Sequence, residues 1–161
     1  MTVRAVDSDH PEYKQIVEIL PKLVRRVALA TEVKTGIKPD VKKIEQALHR
    51  AQLGYEDPFC LVTAGPCLVG CTIGAPWWGD EVALSEEFIV RYKPGNFADT
   101  IKDLEDHAKA IGCTALVVSS LAMIREISYG DYLKRKGFRE VSREYMKGID
   151  NGEIHRGADW R

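Results

Sequence analysis

The amino-acid sequence predicts one α/β domain of the α+β kind, with elements in the order β-α-α-β-β-β-α-β-α-β. Apolar residues recur with the 3.6-residue period of a helix before residue 58, with the two-residue period of strands up to residue 91, and with both periods in turn after that. The length of 161 residues suits one domain. We therefore expect a single domain over residues 1–149 and a tail over 150–161.

The N-terminal elements are a strand and a long helix. Residues 2–6 alternate as a strand does, and Asp9 and Glu12 have the spacing of a capping box at a helix start. Pro21 predicts a kink or break partway along the helix. The apolar positions at helical spacing are Ile16, Ile19, Leu20, Leu23, Val24 and Val27.

A second helix is predicted to begin at Pro39 or Asp40 and to end before Gly54, because glycine commonly follows a helix. Its expected buried stripe consists of Val41, Ile44, Leu48 and Ala51.

The middle of the chain has the period of strands. Residues 59–64 and 67–73 flank the turn Ala64-Gly65-Pro66, which predicts a hairpin, and residues 82–91 form the next strand. Along this strand Glu86 is the single charge on an otherwise apolar row, which favours a β-bulge that re-aims the side chains.

The last third alternates helix and strand. A helix that Gly112 ends leads into the apolar residues 114–119, which are typical of a central strand covered on both faces. A short helix ending at Gly137 and a strand over 138–147 complete the domain. The apolar positions of the longer helix are Phe97, Ile101, Leu104, Ala108 and Ile111.

Composition excludes several function classes. With 23 Lys and Arg against 24 Asp and Glu, the net charge of -1 gives no basis for binding nucleic acid or an anionic membrane. No secretory signal or membrane span is evident, so we expect a cytoplasmic protein. The four cysteines lack metal-ligand spacing and are expected to be reduced core thiols, although Cys60 and Cys71 can face each other across the hairpin, where a disulfide is geometrically conceivable.

Two segments, residues 104–113 and 132–138, together with the order of elements, resemble the GNAT superfamily of N-acetyltransferases over residues 1 to about 149. The first is similar to the family's third helix entering its fifth strand, and the second to the element that precedes its last strand. The resemblance implies a mixed, mostly antiparallel twisted sheet of six to seven strands flanked by four helices. It also implies that acetyl-CoA lies where the fourth and fifth strands splay apart.

The resemblance implies a cofactor site around the loop after the fourth strand. In the family, backbone amides of this loop, at a helix N-terminus, bind the pyrophosphate. Asn96 stands in place of a glycine but tolerates a left-handed conformation, whereas Pro94 lacks an amide and Asp99 competes with a phosphate. The alternative is a helix start capped by Asn96 and Asp99 that holds no ligand. The implied cofactor-binding residues are Phe88, Ile89, Val90, Lys93, Gly95, Asn96, Phe97, Ala98 and Ser119.

The implied catalytic residues are Glu86 or Glu87 as the base that takes the amine proton and Tyr132 as the acid. The alternative for the carboxylates is a pair facing solvent. Where the family has its acidic tyrosine this chain has Leu133, so Tyr132 serves only if the helix is shifted, and its alternative is a core aromatic residue.

Two functions follow from these residues. The first is transfer of an acetyl group from acetyl-CoA to a small-molecule or peptide amine, without a metal, and the acidic patch of Asp80, Glu81, Glu86 and Glu87 suits a cationic amine. The second is a GNAT fold without catalysis that works as a binding or structural component, as in degenerate members in tailed-phage virions. Such a protein is expected to fill its cleft with Phe97, Tyr92 or Tyr132. A homodimer or protein partner is expected at Trp77, Trp78 and the tail.

Overall fold

Five strands and four helices occur in the computed structural model, which describes residues 3–35, 38–52, 59–75, 80–118 and 126–140. The predicted order is confirmed as far as α4. Residues 138–140 are not in a strand, and the rest of the predicted last strand lies outside the described residues. The elements are β1 (Arg4–Ala5), α1 (Tyr13–Thr35), α2 (Val41–Gln52), β2 (Phe59–Ala64), β3 (Cys67–Gly74), β4 (Ala83–Arg91), α3 (Phe97–Ala110), β5 (Ala115–Val117) and α4 (Glu126–Arg135).

The described strands form one mixed sheet in the order β1-β2-β3-β4-β5. All neighbours are antiparallel except β4 and β5, which pair in parallel only over Ala83–Ser85 and Ala115–Val117. The mostly antiparallel character is confirmed, but the described sheet has five strands where six to seven were predicted.

The prediction that β5 is covered on both faces is wrong. Leu116 and Val118 are half-buried against the α3 side of the core, whereas Ala115 and Val117 are exposed, Val117 by 41%. The strand lies at the edge of the described sheet and buries only one face. Its continuous apolar run therefore does not show that both faces are covered.

Apolar side chains cover the sheet on both faces. Because side chains alternate along a strand, β2 contributes Val62 to one cluster and Leu61 to the other. The α1 and α2 face contains Ile16, Leu23, Val24, Leu48, Leu68, Phe88 and Val90. The α3 face contains Val69, Cys71, Leu84, Ile89, Ile101, Leu104 and Ala108. Within the described ranges, no helix has both the length and the apolar character needed to cross a bilayer.

The ends and faces of three helices differ from the predictions. Helix α1 begins at Tyr13 and is capped by the His10 ring, whose Nδ1 accepts a bond from the Glu12 amide at 3.1 Å, so Asp9 and Glu12 form no capping box. It continues through Pro21, which is exposed, so water can bond the carbonyl that proline leaves unpaired. Val41 and Ile111 are 38% and 42% exposed rather than buried, because each lies at a helix end beyond the sheet.

His10 couples the stability of the fold to pH. It is 6% exposed, its Nε2 lies 2.8 Å from Thr63 Oγ1, and its Nδ1 accepts the Glu12 amide, so the ring is held neutral. Burial lowers the pKa of His10. The unfolded chain therefore takes up this proton at a higher pH than the folded chain does, and stability falls as the pH drops below the ordinary histidine value of about 6.5.

We expect the free energy of unfolding, measured by urea denaturation, to decrease between about pH 7.5 and about pH 5.5. His10→Gln should flatten part of this slope, while other groups whose pKa folding lowers, among them His107 and Cys60, keep the remainder. An identical slope in the variant would contradict the role of His10.

Candidate active site

A β-bulge interrupts β4 at the two candidate bases. Gly70 pairs with Phe88 and Cys71 pairs with Glu86, which leaves Glu87 as the extra residue. The bulge changes the alternation of side chains, so that Leu84 before it and Ile89 after it both enter the α3 face. The bulge that Glu86 predicted is therefore present, and it aims the two glutamates differently.

Glu86 is buried and Glu87 is exposed. Glu86, at 4% exposure, follows Leu84 on the α3 face of the sheet. Glu87 faces outward, where its Oε1 accepts a bond from Thr72 Oγ1 at 2.9 Å. The interpretation of a solvent-facing carboxylate therefore fits Glu87 but not Glu86.

Tyr129 on α4 lies within electrostatic range of Glu86 and was not among the predicted site residues. It is 5% exposed, and its hydroxyl is buried with no hydrogen-bond partner in the described part of the chain. Burial, followed by the negative charge of Glu86, raises the pKa of Tyr129, so the hydroxyl stays protonated. Helical spacing was the available signal, because Tyr129 is four residues before Leu133 and so shares its face.

Phe97, Tyr129 and Tyr132 form an aromatic cluster that joins the start of α3 to α4. The Phe97 ring lies 5.6 Å from Tyr129 and 6.2 Å from Tyr132, both edge to face. The Tyr132 hydroxyl is also buried and, among the described residues, unpartnered. Phe97 and Tyr132, two of the three residues expected to fill the cleft of a protein without catalysis, thus contact each other.

Tyr92 is not part of this cluster. It packs against the α1 and α2 face, and its hydroxyl donates to Glu12 Oε2 at 2.6 Å. The expectation that Tyr92 fills the cleft is wrong because, one residue after β4, its ring lies on the opposite side of the sheet from α3.

The loop before α3 borders a pocket of about 60 Å³. The loop passes so close to the turn between β2 and β3 that a Cβ added to Gly95 would lie 2.7 Å from Pro66 Cβ. The residues lining the pocket are Gly65, Pro66, Lys93, Pro94, Gly95 and Asp99. A small anionic group fits its size, while the Asp99 carboxylate opposes one.

Asn96 adopts an extended conformation with φ of -86°, so its tolerance of a left-handed backbone is not used here. The residue instead caps α3, because its Oδ1 accepts a bond from the Ala98 amide at 3.1 Å. This bond uses the Ala98 amide, which the resemblance would assign to phosphate binding. The loop therefore has the arrangement of the alternative given above, a capped helix start that holds no ligand.

Lys93 borders the pocket but is paired with a distant residue. Its Nζ lies 2.8 and 2.9 Å from the two carboxylate oxygens of Glu12. The bonds from Lys93 and then from Tyr92 hold the pKa of Glu12 below its ordinary value. Any anion in the pocket therefore shares the lysine with Glu12.

The other predicted site residues are spread over both faces of the sheet. Ile89 lies on the α3 face, whereas the side chains of Phe88 and Val90 lie on the α1 and α2 face. Asp80 and Glu81 of the acidic patch are exposed, like Glu87. Ser119, Trp77, Trp78 and the tail 150–161 lie outside the described residues. Among the described residues, no three His, Cys, Asp or Glu side chains lie together so that they could hold a metal ion.

Solved structures share the fold. A probable acetyltransferase has a TM-score of 0.59 at 12% identity, over 94% of this chain and 100% of its own. An aminoglycoside acetyltransferase from an uncultured soil metagenomic sample has 0.52 at 14%, over 92% and 99%. Glucosamine-6-phosphate N-acetyltransferase from Arabidopsis thaliana has 0.51 at 13%, over 92% and 98%. No family model and no curated sequence matches the chain. The chain thus shares its fold with solved acetyltransferases, as the resemblance implied.

Proposed function

We propose that the protein is a cytoplasmic N-acetyltransferase that transfers an acetyl group from acetyl-CoA to a primary amine by direct transfer. The observation that carries this proposal is the buried Glu86 carboxylate at the β4 bulge, whose charge acts on the buried, protonated Tyr129 hydroxyl. A base and an acid in one partly apolar site assist amide formation from a thioester and an ammonium, because one takes a proton from the nitrogen and the other gives one to the sulfur.

In the proposed mechanism Glu86 takes the proton of the ammonium group, directly or through one water, so that the nitrogen can attack. Acetyl-CoA supplies an activated acyl carbon when bound. As the C–N bond forms and the C–S bond breaks, the nitrogen loses its second proton to solvent and Tyr129 gives its own proton to the departing sulfur. Tyr129 then regains a proton from solvent and Glu86 releases the one it took, so that one proton is released overall. Backbone amides freed at the bulge are available to stabilise the carbonyl oxygen.

The acceptor is proposed to approach from the exposed carboxylates of Asp80, Glu81 and Glu87, which attract a cation. Polyamines, peptide amines, aminoglycosides and amino-sugar phosphates form a suitable panel, the last two because structural neighbours are named for them.

Calorimetric titration with acetyl-CoA tests the proposed pocket. Lys93→Met should weaken binding about 5- to 20-fold, because a charge-assisted bond to phosphate is lost. Glu12→Gln should strengthen binding a few-fold, because it frees Lys93 from its carboxylate partner. The opposite directions separate a role in phosphate binding from general damage, which would weaken both variants. Absence of heat at millimolar acetyl-CoA would reject the proposal.

The aromatic cluster favours a second candidate, a binding or structural component without catalysis, in which Phe97 holds α3 against α4. Under this alternative, wild-type protein fails to bind acetyl-CoA and shows no transfer to any amine of the panel. If Phe97→Ala then bound acetyl-CoA, the aromatic cluster would be what blocks acetyl-CoA from the site in the wild-type protein.

A further inference from the structure

Two cysteines face each other on neighbouring strands. Cys60 of β2 and Cys71 of β3 are cross-strand partners, and their sulfur atoms lie 3.2 Å apart. Directly opposed residues in an antiparallel pair have Cα atoms about 4.5 to 5.5 Å apart, which lies within the range that a disulfide spans. Oxidation can therefore join the two sulfurs without moving the strands to a new register.

The two thiols differ in access and in acidity. Cys60 is half-buried and can be reached from solvent, whereas Cys71 is fully buried at 0% exposure. The hydrogen bond from Cys71 lowers the pKa of Cys60 to about 7. The same bond, burial, and the charges of Cys60, Glu86 and Glu87 raise the pKa of Cys71. Cys60 is thus the nucleophile of the pair and Cys71 keeps its proton.

We propose that Cys60 and Cys71 form a dithiol site that reacts with hydroperoxides, with Cys60 attacking and Cys71 resolving. The Cys60 thiolate attacks a peroxide oxygen, the O–O bond breaks, and the other oxygen leaves as an alcohol or water after taking a proton. Cys71 sulfur then attacks the resulting Cys60 sulfenic acid, and the leaving hydroxide takes the Cys71 proton as water. Two thiols and one hydroperoxide give one disulfide, one alcohol and one water.

This site is independent of the proposed acetyl transfer. It adjoins the bulge, because Cys71 also pairs with Glu86 on β4, but its chemistry needs neither acetyl-CoA nor an amine. The other two cysteines described, Cys67 and Cys113, are buried and have no cysteine as a cross-strand partner. The extent to which Cys67 and Cys113 are oxidised therefore measures how selective the peroxide reaction is for the Cys60–Cys71 pair.

Treatment of the reduced full-length protein with hydrogen peroxide, followed by intact and peptide mass spectrometry, tests the proposal. Wild-type protein should lose the mass of two hydrogens and yield a Cys60–Cys71 cross-linked peptide. Because Cys60 is the more accessible thiol of the pair and the hydrogen bond from Cys71 lowers its pKa, wild type should consume peroxide about tenfold faster than Cys60→Ser. Cys113→Ser should match wild type.

The resolving role of Cys71 is tested with Cys71→Ala, which buries no new polar group. This variant should accumulate sulfenic acid at Cys60, trapped as an adduct of a cyclic 1,3-diketone, and form no intramolecular link. A wild-type protein that stays reduced, that is oxidised first at Cys67 or Cys113, or that forms only links between chains would overturn the proposal.

Discussion

Replacing Glu86 with glutamine is expected to lower kcat for acetyl transfer by about 10²- to 10⁴-fold, the usual contribution of a positioned base. The change keeps the size of the side chain and removes only its ability to take a proton. We therefore expect the KM for acetyl-CoA to stay within about twofold, because the substitution does not touch the pocket that Lys93 borders. Release of the CoA thiol with an amine of the panel measures both constants.

Glu87→Gln is the matched control for this prediction. Glu87 has the same charge and is the next residue, but it is exposed and bonded to Thr72. Its replacement should change kcat by less than about threefold and act instead on the KM of the cationic amine, since an exposed carboxylate can attract a cation but is screened by solvent at the reacting atoms. Equal losses in the two variants would show that the acidic patch acts through charge alone, and an unchanged kcat in Glu86→Gln would remove Glu86 from the proposed mechanism. Thermal melts of both variants separate lost chemistry from lost folding.

Gly70→Ala is expected to destabilise the protein by about 2 to 3 kcal/mol. Gly70 lies opposite the bulge, under the ring of Phe88, and an added Cβ would be 2.3 Å from Phe88 Cε1 and 2.8 Å from Phe59 Cζ. Both rings belong to the packed α1 and α2 face, so neither moves without disturbing its neighbours. Urea denaturation gives the free energy of unfolding directly.

Gly74→Ala provides the control on the same strand, because a Cβ there meets nothing within 4 Å. Its effect should stay within about 0.5 kcal/mol of zero. Combining Gly70→Ala with Phe88→Val should cost less than the sum of the two single changes, because the smaller side chain relieves the clash. Additive losses, or equal losses at Gly70 and Gly74, would show that the glycine requirement comes from something other than Phe88.

The local pattern of the sequence was sufficient for most of the fold. The two-residue period over residues 59–73 predicts the hairpin of β2 and β3, and the single charge of Glu86 on an apolar row predicts the bulge. These features can be read from the sequence because burial alternates regularly along one segment. The covering of β5 depends on elements elsewhere in the chain, and there the apolar pattern predicted two covered faces where the structure has one.

The candidate site depends on residues far apart in the chain. Lys93 stands where a phosphate contact is expected, yet its partner is Glu12, about eighty positions away in the chain. Tyr129 comes within electrostatic range of Glu86 only because α4 packs on the α3 face of the sheet. The facing thiols of Cys60 and Cys71 were conceivable from the hairpin, but their contact and their unequal burial come from the folded sheet.

The sequence by itself determined which segments as far as α4 are helices and strands, their order, and the residue types available for chemistry. Only the tertiary structure decided which of two adjacent glutamates is buried, which tyrosine its charge acts on, and which carboxylate holds Lys93. The physical reason is that periodicity records how each segment divides between core and solvent, whereas distances between segments are set by the packing of whole elements against each other.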